Sequence, residues 1–211
     1  MPPVRFIRAL IVLHRTFGKF PRRARVHTLV RFLSAPLLRV AREAPRGALL
    51  LDIGAGHGVF ARLALEAGAR RVVAVEPDGR KLVEPIDGID FVMGYDDCIR
   101  GTFDAVAVID VLYKIPIGEW DALLARARAR LRDGGTLIVK EQDPTARVKN
   151  SWNRAQERLV SRIKLTLGES FSYEAPRDFV ARLERAGFKD VRAQRIDLLY
   201  PHPHILYTAR A

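Results

Sequence analysis

At 211 residues, 48% of them hydrophobic, the chain can bury one full core but is too short for two ordinary domains, and its apolar runs fall far below the roughly 18–20 residues of a transmembrane helix. The single cysteine, Cys98, excludes an intramolecular disulfide and a cysteine-cluster zinc site; with no secretory signal discernible behind Arg5 and Arg8, a cytoplasmic protein is expected. The net charge of +12 is unevenly held, because residues 1–46 carry eleven Lys or Arg against Glu43 alone, a net of +10, and the rest of the chain only +2.

The first 46 residues therefore read as a cationic segment attached to a nearly neutral domain over 47–211. Within it, Val4, Phe6, Ile7, Leu10 and Ile11 can share one helical face with Arg8 and Arg15 directed away, and Leu29, Val30, Leu33, Leu37, Leu38 and Val40 continue the apolar pattern between arginines. Basic amphipathic helices of this kind either cover a sheet with a solvated outer face or bind anionic membrane surfaces, where each Lys or Arg adds about 1 kcal/mol.

From Gly47 onward short apolar runs alternate with amphipathic stretches, the pattern of an α/β domain around a parallel sheet. Strands are predicted over 48–53, 71–75, 89–93, 103–109 and 136–141, and helices over 57–67, 116–131, 148–166 and 176–186. Asp133-Gly134-Gly135 reads as the end of the 116–131 helix. Two closing strands, 191–198 and 204–210, have no helix between them and are expected to be antiparallel, giving a sheet that is parallel until its last strand.

In an open α/β sheet, ligands sit beyond the carboxyl ends of the strands where strand order reverses. The first strand exits through Asp52-Ile53-Gly54-Ala55-Gly56-His57-Gly58, whose alternate glycines permit positive φ and close approach of a ligand to the backbone. A dinucleotide fingerprint would need its third glycine three places after the second, whereas Gly58 follows Gly56 by two, so NAD is disfavoured. Asp52 points the same way: a carboxylate there would repel a pyrophosphate and attract a cationic ligand. The second strand ends at Glu76, followed by Pro77 and Asp78, and a strand-end carboxylate beside the glycine turn can accept hydrogen bonds from both hydroxyls of a ribose.

The segment 50–76, with Asp110 and Gly134-Gly135 downstream, resembles the class I S-adenosylmethionine (SAM) dependent methyltransferases, and the resemblance covers about residues 47–211. It implies a Rossmann-like seven-stranded sheet with helices on both faces, SAM as donor and S-adenosylhomocysteine (SAH) as product. It also implies that Gly54, Ala55 and Gly56 lie under the methionine moiety beside Asp52, that Glu76 binds the ribose, and that Pro77 or Asp78 flanks the adenine. Asp96 or Asp97 would face the adenine amino group, and Ile109 to Leu112, with Asp110 among them, would pass beneath the donor.

A hydroxyl or ammonium acceptor must lose a proton, and the candidate bases are His27, Tyr113 and Tyr173. His57 reads as lining the donor pocket, and His202 and His204 as shaping the turn before the last strand. Where base-methylating relatives carry an N/D/S-P-P-Y/F/W tetrapeptide, this chain has Asp110-Val111-Leu112-Tyr113. It instead resembles the small-molecule, lipid and quinone branch, as do Phe171-Ser172-Tyr173 with Pro176 and the Ala186-Gly187-Phe188 turn. A small or lipid-like acceptor is therefore expected. The alternatives are an RNA methyltransferase using the +10 segment against phosphates, disfavoured by the absence of a recognisable RNA-binding module, and a catalytically silent SAM-fold protein. No metal-ligand cluster is visible, so metal dependence is not expected.

Overall fold

The runs rich in Val, Ile, Leu and Ala become seven strands of one sheet, ordered β3-β2-β1-β4-β5-β7-β6: β1 (Leu49–Ile53), β2 (Arg71–Glu76), β3 (Ile89–Met93), β4 (Phe103–Ile109), β5 (Leu131–Gln142), β6 (Lys189–Arg195) and β7 (His204–Arg210). The computed structural model describes residues 3–82, 85–145, 172–198, 200 and 202–211; the helix predicted over 148–166 lies outside the described residues. β7 runs antiparallel to both β5 and β6, so the other six strands are parallel to one another. This is the Rossmann-like methyltransferase sheet that the sequence led us to expect.

Successive residues of the central strands serve opposite faces, as the strand period of two requires. Leu50, Ala105, Ala107, Ile109 and Ile138 pack on one side; Leu51, Val106, Val108, Leu137 and Val139 pack on the other. The first side is covered by α1 (Pro3–Phe17), α2 (Arg22–Ser34), α3 (Leu37–Ala41) and α4 (Val59–Ala67), the second by α5 (Trp120–Ala129) and α6 (Pro176–Arg185). Phe17, Phe20 and Phe32 of the cationic segment join the same buried cluster as Leu50, Val59 and Phe60. Burying each such ring contributes about 1.5–3 kcal/mol, so α1 to α3 are anchored on the sheet face. Pro36, which disfavours helical geometry at Ala35, ends α2 there.

Three elements depart most from their predicted bounds: the 116–131 helix, the 136–141 strand and the 191–198 strand. The helix expected over 116–131 is confined to α5, preceded by a single 3-10 turn at Ile117–Glu119, and Leu131 already pairs with Phe103 in the sheet. The Asp133-Gly134-Gly135 turn is an irregularity inside β5: the next pair is Ala105 with Thr136, and Gly134 absorbs the extra residues at φ +70°. The strand expected over 191–198 begins earlier, at Lys189, and ends at Arg195. It is an edge strand rich in exposed charge, with a register shift between Lys189 and Arg192, which guards a sheet edge but carries no apolar alternation to read.

Candidate active site

β1 lies between β2 and β4, so the chain leaves its carboxyl end at the point where strand order reverses, and a crevice opens there. Gly54 and Ala55 donate their N–H groups to the Val75 carbonyl at 2.8 and 2.9 Å, tying the turn to β2, and Gly56 donates to Glu76 Oε2 at 2.8 Å. The glycines do different work. A Cβ at Gly54 (φ +74°) would stand 2.5 Å from Val111 Cγ2, whereas at Gly56 (φ +60°) nothing lies within 4 Å, so the turn packs on the β4 exit through Gly54 and opens at Gly56.

Glu76 is buried at the end of β2, its Oε1 accepting from Asp78 N–H at 3.1 Å and Lys81 Nζ at 2.8 Å. Asp52 is more deeply buried, and its Oδ2 has no hydrogen-bond partner among the described residues. Burial pushes the Asp52 carboxyl up to about 7, with Glu76 adding to the shift and Arg31 opposing it. An unpaired buried carboxylate is costly unless a donor meets it, and a ligand ammonium is such a donor. The orphaned Asp52 oxygen, the open Gly56 and the strand-end Glu76 thus fit the amino group, backbone and ribose of SAM.

The remaining predicted donor-site residues separate. Pro77 is exposed, and Asp78 pairs with Arg80 through contacts of 2.7 and 2.9 Å. Asp96 is buried and gripped by Arg126 Nε at 2.5 Å and Nη2 at 3.2 Å, a two-pronged ion pair that commits it to bracing α5, while Asp97 is exposed. The Leu112 side chain is wholly buried in the core and its carbonyl accepts the Trp120 indole N–H at 3.0 Å, so it supports the crevice floor from below.

Asp110 leaves β4 with φ +58°, a left-handed conformation uncommon outside glycine, though aspartate tolerates it better than most residues. Its N–H donates to the Lys140 carbonyl at 2.9 Å, and its carboxylate receives Lys140 Nζ at 2.5 Å. Arg31 of α2 approaches the same carboxylate at 3.6 Å and donates to the Ile109 carbonyl at 3.1 Å. Burial alone would raise the Asp110 carboxyl, but Lys140 and Arg31 outweigh it and hold it at about 2; burial also lowers the Lys140 ammonium. Beside them, Glu141 Oε1 accepts the Val111 and Leu112 N–H groups at 3.0 and 2.8 Å, and burial, with Asp110, pushes its carboxyl up to about 8. The β4 exit is thereby fastened to the end of β5.

Between α2 and the ends of β4, β5 and β7 lies a cavity of about 220 Å³, lined in part by His27, Arg31, Asp110, Tyr113, Lys140 and His204. The three predicted proton acceptors meet near it. His27 stands exposed on α2 with its ring 5.0 Å from His57 of the glycine turn. Tyr113 stacks on Tyr173 at 6.4 Å with 10° between the rings, and burial raises the Tyr113 phenol, so it stays protonated near neutral pH. His204, expected only to shape a turn, is buried in the cavity wall. Its Nε2 lies 2.9 Å from the Ser34 carbonyl, which can only accept, so Nε2 carries the proton and Nδ1 is left as an acceptor with no partner among the described residues. Arg31, Lys81, Lys140, Glu141 and His204 all escape sequence reasoning. The one available signal was Lys140 itself, a charge inside an apolar strand that must find a buried partner.

Residues 23–193 match the family model described as a methyltransferase domain, and the chain belongs to that family. Among solved structures it is similar to an O-methyltransferase family protein of Burkholderia thailandensis (TM-score 0.69, 16% identity, 92% of this chain and 61% of that one). It is also similar to a SAM-dependent methyltransferase of Thermotoga maritima (0.66, 17%, 94% and 99%). A third likeness is the 1,6-didemethyltoxoflavin-N1-methyltransferase of B. thailandensis, solved with 1,6-didemethyltoxoflavin and SAH (0.62, 21%, 100% and 90%). The chain spans about three-fifths of the length of the O-methyltransferases it resembles. No curated protein matches it in sequence.

Proposed function

We propose that this chain transfers a methyl group from SAM to a small-molecule acceptor held in the cavity under α2. The observation that carries the donor half is the buried Asp52 oxygen, unpaired among the described residues, at the start of the glycine turn that is tied to Glu76. When bound, SAM supplies an activated methyl on a sulfonium, so that transfer is an in-line displacement governed mainly by alignment. In this reading Asp52 takes the donor's ammonium, Gly54 to Gly56 pass along its methionine moiety, Glu76 accepts from the ribose hydroxyls, and Asp97, with Pro77 and Asp78, borders the adenine. His27, at the cavity mouth, takes the acceptor's proton; His204 Nδ1 orients the acceptor, and Tyr113 with Tyr173 forms a wall. Apart from Val30, Ala35 and the Tyr113 ring the cavity lining is polar, which favours a polar small molecule over a lipid-like or quinone acceptor. Isothermal titration with SAM and SAH, with NAD as control, tests the reading: saturable binding of both sulfur ligands, weakened in Glu76→Ala, is expected, and binding of NAD in their place would overturn it.

A second reading concerns the cationic segment. Ile7, Ile11, Val26, Leu29, Val30 and Leu33 are 47–56% exposed on α1 and α2, among the exposed Arg8, Arg15, Arg22, Arg23 and Arg25. That combination favours contact with an anionic membrane surface. Sedimentation with phosphatidylserine-containing vesicles, but not with pure phosphatidylcholine vesicles, and its loss at high salt are the expected results.

A further inference from the structure

Arg31 is a part-buried guanidinium with most of its bonding capacity unspent. A guanidinium has five N–H donors, and among the described residues Arg31 uses one of them, to the Ile109 carbonyl; its approach to Asp110, at 3.6 Å, is too long for a hydrogen bond. Asp110 meanwhile is already matched by Lys140 at 2.5 Å. The cavity therefore contains two fixed cations, Arg31 and Lys140, against one carboxylate, an excess of one positive charge in a space partly closed from water.

The volume narrows the occupant. About 220 Å³ lies below the roughly 300–1,000 Å³ of pockets that hold drug-sized ligands, so the cavity suits a single ring or short chain with small substituents. We infer that the acceptor is a small acid, whose carboxylate or similarly planar oxyanion is held by the free edge of the Arg31 guanidinium. The inference rests on the methyl-transfer reading and adds the chemical class of the acceptor.

A carboxylate could also come from the donor's own amino-acid end. Arg31 is near enough to Asp52 to oppose the rise of its carboxyl, so the donor's amino-acid end is the rival occupant; the rest of the cavity favours the acceptor, because Lys140 on β5 is three strand spacings from Glu76 on β2, roughly 14 Å, and Gln142, His202 and His204 extend the cavity still further from the ribose site. A planar guanidinium binds a planar oxyanion through two parallel hydrogen bonds, whereas a neutral amide of the same shape offers one acceptor and forfeits the charge.

The test is a matched series of carboxylates and their carboxamides (benzoate, phenylacetate, 3-phenylpropionate), titrated by ligand-observed NMR into wild type, Arg31→Met and Arg31→Lys, with and without saturating SAH. At least one carboxylate is expected to bind about tenfold or more tightly than its amide, a preference abolished in Arg31→Met and partly kept in Arg31→Lys. At pH 9, where Asp52 is ionised with or without Arg31, SAH affinity is expected to change by less than about twofold in either variant, and unchanged thermal melting shows that both fold. No carboxylate preference in wild type, or a preference that survives in Arg31→Met, overturns the inference. So does a loss of SAH binding in Arg31→Met without a change in the carboxylate series, which would assign the guanidinium to the donor. Failure of SAH to bind wild type would instead sink the donor assignment alone, because the series without SAH still decides the anion site.

Discussion

The two halves of the crevice are built on opposite plans. The proposed donor half spans residues 52–81 and is made largely of backbone: glycine N–H groups tied to Val75 and Glu76, with one carboxylate oxygen left unpaired among the described residues. The proposed acceptor half is drawn from α2, the β4 exit, the end of β5 and the start of β7, with His204 reaching Ser34 across 170 positions, and it is dense with buried charge. A site for a ligand common to many enzymes can be encoded in one strand-turn-helix unit. A site for a particular acceptor is assembled from side chains that only the complete fold brings together.

The largest expected effect lies in the acceptor half. Lys140→Met leaves Asp110 buried without its ammonium, and removing one partner of a buried ion pair costs about 3–5 kcal/mol, measurable by urea denaturation. The Lys140→Met/Asp110→Asn double variant should recover much of that loss; equal stability of single and double variants would mean the acceptor half is not braced by charge.

In the donor half, Glu76→Ala is expected to weaken SAH by about 100-fold, since it removes charge-assisted acceptors from the ribose and frees the Gly56 N–H that holds the turn. A change below about fivefold would place the ribose elsewhere.

Asp52 connects the donor site to pH. Its carboxyl titrates at about 7 in the fold, above its ordinary 3.8, so the anion available to an ammonium grows between pH 6 and 8. SAH affinity should rise across that window in wild type and be flat in Asp52→Asn. Stability runs the other way. Between 3.8 and about 7 the folded state keeps a proton that the unfolded chain releases, so the unliganded protein loses stability as pH rises. At pH 8, Asp52→Asn should therefore melt about 2–6 °C higher than wild type in a thermal scan, while binding SAH poorly.

The smallest effect is expected at Lys81, whose ammonium sits on Glu76 Oε1 at 2.8 Å. Where it competes with a ligand hydroxyl, Lys81→Met should tighten SAH by about two- to threefold, less so at high salt; weaker binding would make Lys81 a contributor to the donor site.

The strands 89–93, 103–109 and 204–210 were legible to the residue, because apolar runs bounded by turn residues coincide with strands that pack on the core. The ends of α5 and the start of β6 were not: a glycine pair reads alike at a helix end and in a strand irregularity, and an exposed edge strand carries little hydrophobic pattern. Spacing set Asp52, Gly54, Gly56 and Glu76 at the exits of neighbouring strands, and the Gly56 N–H does meet the Glu76 carboxylate. What separates Asp96 from Asp97 is Arg126, thirty residues away, whose grip on Asp96 no local pattern announces.

The sequence by itself determined what depends on neighbours along the chain: strand periodicity, the left-handed turn after β1 and the acid at the end of β2. Only the tertiary structure decided which charges meet, which of them remain unsatisfied among the described residues, and that Arg31 of the cationic N-terminal segment lines the cavity beside Asp110 and Lys140. Hydrophobic burial is non-directional and needs only a pattern, whereas an ion pair or hydrogen bond depends on ångström-scale distance and angle between groups that the chain keeps far apart.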